Sequence, residues 1–458
     1  MVDDRFALDN KSSINKIHIL FQRFITSPTV EGFFFAMVCT TLFVGSMFHA
    51  WWNLSYKYRF EEVKTVNWFS DFNFFAIVML FIALYYSIRK IYYGREIKFD
   101  MALAILCQTM CLVAILDYHK QDYSNIGYAW ILPAGYIIGN AIVGNDSKMA
   151  AQKIECAFFS LAAGMYVASA MDFRKYFQLV EEYGYVDPNT WESYWATALY
   201  ESRCTYELGF ILITASCGYM LYRARKHVSL LGIIIILNLI IQHCDIETTG
   251  RENRLLLPLN LILFIILFLI DKYREADKKK RILYRIVFVM LAAFIVLSII
   301  AFFKNWNGMY DKYLLSNWAT GGGILKNDRF VINQEAFQAM LRYPTDDWAK
   351  YETIVYNYSI SHSLLLEYGR AYDITVYIAL VLFRLLIIKD AVLLMMKNGS
   401  RNTVKYFLIP AFLSINIYYS MEPNAYGRRY FWLIGLIISG MIRGWIDIGK
   451  LEEKKTQA

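Results

Sequence analysis

The sequence predicts an all-α polytopic membrane protein of about twelve transmembrane helices, with a large extracytoplasmic loop between the ninth and tenth. Three observations carry that expectation. Hydrophobic residues make up 57% of the 458-residue chain and aromatic residues 17%, and the apolar residues fall in blocks. Many blocks approach about twenty residues with few charges, enough to cross a hydrocarbon core of about 30 Å. Basic residues, meanwhile, gather in alternate connections between the blocks, as the positive-inside rule requires. The mean hydropathy of +0.33 is diluted by 35 tyrosines and by long polar loops.

Taken in order, residues 1–30 are polar and basic (Arg5, Lys11, Lys16, Arg23) and read as a cytoplasmic segment with no cleaved signal. The expected spans are 31–50, 70–88, 100–117, 127–143, 154–172, 206–222, 228–242, 255–270 and 283–303. After a loop at 304–371 come 372–390, 404–420 and 430–447, then a cytoplasmic tail at 448–458. The inside segments include RKIYYGREIK, YRARK and DKYREADKKKRILYR, and together with residues 1–30 and the tail they hold more than half of the 47 Lys and Arg. An even number of spans puts both termini in the cytoplasm. The net charge of +8 is then an orientation signal and requires no nucleic-acid partner.

No repeat interrupts the chain, so one helical unit is expected, with spans 1–9 at 31–303. Two outer segments exceed a plain connection. One is 173–205. The other, 304–371, contains FVINQEAFQAMLRY, which places Ile332, Ala336, Ala339, Met340 and Tyr343 on one helical face. Gly321-Gly322-Gly323 leads into this amphipathic helix and Pro344 stops it. Such a helix suits the bundle surface or the interface.

Cys39, Cys107, Cys111, Cys156 and Cys217 fall in spans, Cys204 and Cys244 near the outer boundary, and none has CxxC spacing. The six histidines form no HExxH cluster, so neither a metal site nor a cofactor is expected. Ten of the 11 tryptophans, from Trp51 to Trp432, lie at or beyond the outer boundary, and Trp445 alone lies toward the cytoplasm. An interfacial belt would populate both faces. Flat aromatic faces suit sugar rings, and Trp191, Trp195, Trp318 and Trp348 on the two long loops are the candidates. Belt anchoring and loop packing account for most tryptophans taken singly.

Arginine collects on the outer side in three stretches. ETTGRENRLLLPLNL carries Arg251 and Arg254 at the mouth of the eighth span, KNDRFVINQEAFQAM carries Arg329, and SISHSLLLEYGRAYDI carries His362, Glu367 and Arg370. Arginine stays charged, and its planar fork donates two bonds at once to phosphate oxygens. For Arg254 and Arg370 the plain account is a helix-end arginine snorkelling to the interface. Arg251 follows small Thr248, Thr249 and Gly250, and His362 has Glu367 and Arg370 for company. Glu422, Arg428 and Arg429, in EPNAYGRR, are weaker candidates.

These stretches resemble the bacterial O-antigen polymerase and O-antigen ligase family. That family has about a dozen helices, an arginine ahead of a helix in its large outer loop, and a His-Asn-x-x-Leu motif followed by Glu and Gly. SHSLLLEYG is similar to the histidine motif, DRFVINQEAFQAM with Pro344 to the loop helix, TTGRENRLLL to an earlier helix entry, and RYFWLIGLI to the closing segment. Ser363 and Gly250 stand where asparagine and serine are usual, and PTDDW lacks the family's Gly-x-Gly. The first five spans match only as apolar stretches.

The resemblance implies transfer of a glycan from undecaprenyl pyrophosphate to a sugar hydroxyl on the outer face of a bacterial cytoplasmic membrane, by a metal-independent inverting route. Its partners would be the lipid-linked donor and acceptor, the bilayer and other polysaccharide-export proteins. Arg251 and Arg329, with Arg254 and Arg370, would stabilise the leaving pyrophosphate, and His362 or Glu367 would be the general base. The Ile-, Lys- and Tyr-rich composition leans toward a capsule or surface-polysaccharide polymerase over a ligase. Two further classes fit a twelve-span bundle: a polyprenyl-phosphate-sugar glycosyltransferase using Glu61, Glu62 or Asp71, and a lipid-linked oligosaccharide flippase.

Overall fold

In hydrocarbon a backbone amide has only its own chain to bond, so a long apolar stretch closes into helix. A computed structural model describes residues 18–47, 72–92, 100–119, 127–143, 147–187, 191–192, 200–201, 206–248, 252–303, 328–345, 347, 361–396, 403–421 and 430–457. Helix stands at every stretch expected to be an apolar span. In chain order these are α1 (Pro28–Met47), α2 (Phe72–Tyr92), α3 (Met101–His119), α4 (Tyr128–Ala141), α5 (Ser147–Tyr183), α6 (Ile211–Ala224, entered through a 3-10 turn at Leu208–Phe210), α7 (Val228–Glu247), α8 (Glu252–Glu275) and α9 (Lys278–Phe303). Two shorter helices follow, α10 (Asp328–Arg342) and α11 (Leu364–Ala371), and then α12 (Ile374–Met396), α13 (Lys405–Met421) and α14 (Tyr430–Gln457). A two-residue antiparallel pair, β1 (Trp191–Glu192) with β2 (Tyr200–Glu201), lies between α5 and α6.

Among the described residues, seven helices are long and apolar enough to cross a membrane: those at Pro28–Met47, Met101–His119, Met149–Tyr183, Val228–Glu247, Asn253–Glu275, Lys278–Ser298 and Phe431–Gly449. Exposure follows the same logic. On α9, Ile282, Ile286, Val289, Met290 and Phe294 all face outward, Val289 at 69% exposure. On α7, Ile233, Ile236 and Leu239 do the same. Charges instead turn inward: Lys405 reaches Asp271 at 0% and 3% side-chain exposure, and Arg89 and Lys153 share Glu31. Water would reverse that arrangement. This is an all-α membrane protein.

Several boundaries differ from the sequence expectation: α5 begins at Ser147, α14 runs on through the expected tail to Gln457, and the far end of α5 shifts most. The outer segment at 173–205 was expected to be a connection after a span ending at 172, yet α5 continues to Tyr183. Phe173, Tyr176 and Val180 keep the helical period, and Phe173 is fully buried and stacked on Phe210 at 5.5 Å. The helix stops where Gly184, at φ +76°, bonds its N–H to Val180 O over 2.8 Å. The six cysteines among the described residues are free thiols, Cys244 included.

Helices meet closely where glycine removes the side chain. A Cβ on Gly139 of α4 would stand 2.1 Å from Ile437 O of α14, and one on Gly440 would stand 2.2 Å from Tyr136 O. Such contact lets dispersion hold helices together where lipid offers no hydrophobic driving force. On α13, Lys405 and Tyr406 reach Asp271 of α8, while Ser414 pairs with Asn260 at 2.9 Å. Those two rungs make α8 and α13 antiparallel, so the start of α8 and the end of α13 share one end of the bundle.

Gly440→Val is expected to force α4 and α14 apart at a cost of about 1–3 kcal/mol or more. Gly232→Ala, where an added Cβ meets nothing within 4 Å, should leave the protein unchanged. Thermal melts of the two variants in detergent check both.

Candidate functional site

The amphipathic segment folds as α10 and docks by the face its spacing marks. Ile332, Ala336, Ala339 and Met340 are each at most 1% exposed and pack with Leu366 of α11 and with Tyr343, Ile374 and Tyr377. Gly369 makes the approach possible, because a Cβ there would lie 2.4 Å from Met340 Sδ. Pro344 follows the end of the helix, and its carbonyl accepts the Ile374 N–H at 2.8 Å, fastening the exit of α10 to the start of α12. On the polar face, Asn333 Oδ1 accepts the His362 backbone N–H at 2.7 Å. Its Nδ2 points to Ser420 O at 3.4 Å and His362 O at 3.5 Å. One side chain thus brackets the histidine segment against the end of α13.

Helix α11 begins after Ser363, whose backbone is extended and whose carbonyl accepts the Glu367 N–H at 3.0 Å. Glu367 is wholly buried. It accepts the Ser361 N–H and, at 2.9 Å, Arg370 Nε. Arg370 Nη1 also bonds both oxygens of Asp347 at 3.1 Å, so one guanidinium ties the segment after α10 to α11. Burial pushes the Glu367 carboxyl above the usual carboxylate range, with the Arg370 charge and the Ser361 N–H offsetting part of the rise. Tyr372 then donates to Asp117 of α3 at 3.0 Å and fixes the entry to α12.

Beneath α11 lies a cavity walled by α11–α14. Leu364 and Leu365 roof it, Phe383 and Arg384 come from α12, Asn416 and Tyr419 from α13, and Trp432 and Ser439 from α14. It is a narrow, partly open cavity with room for about one water. Arg384 Nη2 donates to Ser420 Oγ at 2.7 Å and Asn416 O at 3.0 Å. Ser420 is therefore shared: its hydroxyl takes the Arg384 guanidinium and its carbonyl faces Asn333.

Of the residues the sequence singled out, His362, Glu367 and Arg370 come together here, and Asn333 joins them. His362 is half-buried, whereas Glu367 has no exposed surface and both its oxygens are engaged. Of the two candidate bases only His362 keeps exposed surface. Arg370 is occupied by two carboxylates, which makes it a brace more than a free anion receptor. Arg254 shares this end of the bundle by the α8–α13 register but turns to α7: its Nη2 donates to Asp245 O at 2.5 Å, and its N–H to the Asp245 carboxylate at 3.2 Å. Arg329 precedes Asn333 by one turn of α10, and its side chain lies outside the described residues, as does that of Trp191 in β1.

Arg251, Trp195, Trp318, Trp348, Cys204, Glu61, Glu62, Asp71, Glu422, Arg428 and Arg429 also lie outside the described residues. Trp432 is buried, 5.3 Å from Tyr368 and 6.5 Å from Phe383 between ring centroids, so it packs the bundle. Sequence reasoning missed Asn333 and Arg384. The second had a signal: an arginine within an apolar span marks a functional site by default. No protein-family model matches this chain, and no curated protein matches it.

Arg370→Gln is expected to cost about 3 kcal/mol, because Glu367 and Asp347 lose their shared cation while Glu367 stays buried. A carboxyl whose folded pKa stands above its unfolded value contributes stability below the unfolded pKa and loses it as pH rises through the folded one. Removing Arg370 raises that folded pKa further. The variant's loss of melting midpoint should therefore shrink on acidification from pH 7 toward the ordinary carboxylate range, which a pH series of thermal melts measures.

Proposed function

We propose that this chain is a polysaccharide polymerase of the O-antigen polymerase type, joining undecaprenyl-pyrophosphate-linked repeat units on the outer face of a bacterial cytoplasmic membrane. In this reading twelve helices cross the bilayer, both termini are cytoplasmic, and α10 and α11 belong to the outer loop between the ninth and tenth spans. The observation that carries the reading is the docking of α10: its Asn333 holds the His362 backbone at 2.7 Å, and the segment after it is held by Arg370. A soluble-side helix anchored to position a half-buried histidine suits an enzyme better than a plain connection.

The chemistry is an in-line displacement. The acceptor hydroxyl gives its proton to a ring nitrogen of His362, its oxygen forms the new bond to the anomeric carbon, and the C–O bond to the pyrophosphate breaks. The pyrophosphate leaves with the electron pair, so the anomeric configuration inverts. A histidine with an ordinary pKa of about 6.5 is suited to that proton transfer near neutrality. The buried Glu367 holds Ser361 and Arg370, and so orients the histidine segment from behind. Arg251 and Arg329 remain the expected cations for the leaving group.

A ligase differs in acceptor and uses the same displacement. A flippase draws its support from Arg384, a basic residue inside the bundle, but gives no role to the docked α10. His362→Ala is expected to lower polymer by about 100-fold or more while the protein stays folded in the membrane. Glycan profiling of cells reads the outcome: single lipid-linked repeats outside support a polymerase, polymer without its anchor supports a ligase, and an unchanged profile overturns the proposal.

A further inference from the structure

Burying a cation in a membrane bundle is costly, and this protein answers the cost with carboxylates in one case after another. Arg89 and Lys153 have Glu31, Lys405 has Asp271, Arg443 has Asp390, and Arg370 has Glu367 and Asp347. Arg384 differs. Ten residues into α12, about 15 Å along the helix, it forms no salt bridge among the described residues and rests on a hydroxyl and a carbonyl. Both acceptors lie in the last turns of α13, where the negative end of the helix dipole gives only partial compensation.

The geometry leaves the rest of the guanidinium available. Both hydrogen bonds use Nη2, and no described residue accepts from Nη1 or Nε. Those two nitrogens form the edge of the fork that takes two oxygens of one phosphate. The cavity beside it is lined by apolar groups and by neutral Asn416, Tyr419 and Ser439, with no carboxylate to compete. The cavity has room for about one water, so a phosphate would lie against the guanidinium and not inside the cavity. Ser420 links Arg384 to Asn333, and Asn333 holds the His362 backbone.

We propose that Arg384 is a further phosphate-binding cation of this site, taking the diphosphate of a polyprenyl lipid beside the α11–α14 cavity within one shared residue of the His362 bracket. The site rests on the polymerase reading only for the choice of a polyprenyl diphosphate as ligand. The same contacts would hold a free diphosphate, and the two sources separate by experiment. Held by Ser420 and Asn416, the guanidinium is oriented before the ligand arrives, so little side-chain freedom is lost on binding.

The test is thermal unfolding of the full chain in phosphatidylcholine nanodiscs, with farnesyl diphosphate, farnesol or inorganic pyrophosphate added. Farnesyl diphosphate should raise the wild-type midpoint in a dose-dependent way, as any ligand of the folded state does, while farnesol should not. Arg384→Gln should weaken the apparent affinity at least tenfold, with a ligand-free midpoint no lower than wild type. A structural strut would show the opposite, a lowered midpoint and unchanged ligand response. An Arg384-dependent response to pyrophosphate as strong as that to farnesyl diphosphate assigns the site to free diphosphate and overturns its lipid part. Equal responses of wild type and Arg384→Gln, or no response of the wild type, overturn the proposal. Should Arg384→Gln not fold, Arg384→Lys keeps the charge and loses the fork, and an unchanged affinity there overturns it. Normal polymer in cells carrying His362→Ala, with binding lost in Arg384→Gln, would retain this site and remove the polymerase reading. Polymer lost in the first and binding intact in the second would do the reverse.

Discussion

A charge moved into hydrocarbon must find an opposite charge or a dense set of dipoles, and that constraint sorts this molecule into scaffold and site. Two unit charges about 4 Å apart attract several times more strongly in a protein interior than in water. The scaffold uses that gain repeatedly. Glu31 gathers Arg89 and Lys153 where α1, α2 and α5 meet, and Asp271 takes Lys405 and Tyr406 between α8 and α13. Arg443 of α14 lies among Asp100, Asp390 and Asp447. Each group joins helices far apart in sequence, and each fixes a rotation and a register that apolar packing alone would leave looser. The exceptions then stand out as places where the interior is built for something else.

The His362 end is held by a different logic. Helix α10 has a modest apolar face, and its contacts with α11 and α12 form a small core separate from the main one. Polar clamps supplement that packing: Asn333 on the histidine segment, Arg370 between Glu367 and Asp347, and the Ile374 N–H on Pro344. Each clamp joins two segments that have no reason from local sequence to meet. Together they hold the segment at 361–363 from several sides, which is the arrangement expected where a rigid frame must hold a reacting side chain in place. Arg370 gains a role here that its position at a helix mouth does not announce, since besides Glu367 on its own helix it holds Asp347 from the segment after α10.

The periphery is lipid-facing in an uneven way. Helix α9 exposes large apolar side chains along most of its length, whereas α14 is enclosed on nearly all sides. Glycines at 139, 440 and 444 let α4 press against α14 until backbone meets backbone, which is how a central helix is packed without a hydrophobic drive. The site described above sits on α12, α13 and the first turns of α14, next to this densest part of the bundle.

The amino-acid sequence alone was enough for the class of fold, because helix in a bilayer follows from local composition: a run of apolar residues long enough to span has no other way to satisfy its backbone. It also marked α10, since Ile332, Ala336, Ala339 and Met340 repeat at helical spacing whatever they pack against, and Pro344 ends any helix before it. The extent of α5 was less legible, because Phe173 and Tyr176 carry the helical period beyond the apolar block that delimits a span. The grouping of His362, Glu367 and Arg370 was legible through their spacing on one short segment. Their roles were not. That Glu367 is sealed, that Arg370 is shared with Asp347, and that Asn333 and Ser420 link His362 to Arg384 depend on contacts between residues up to 87 positions apart. Local pattern carries no record of such contacts, because hydrogen bonds of this kind exist only once packing has brought the helices into register.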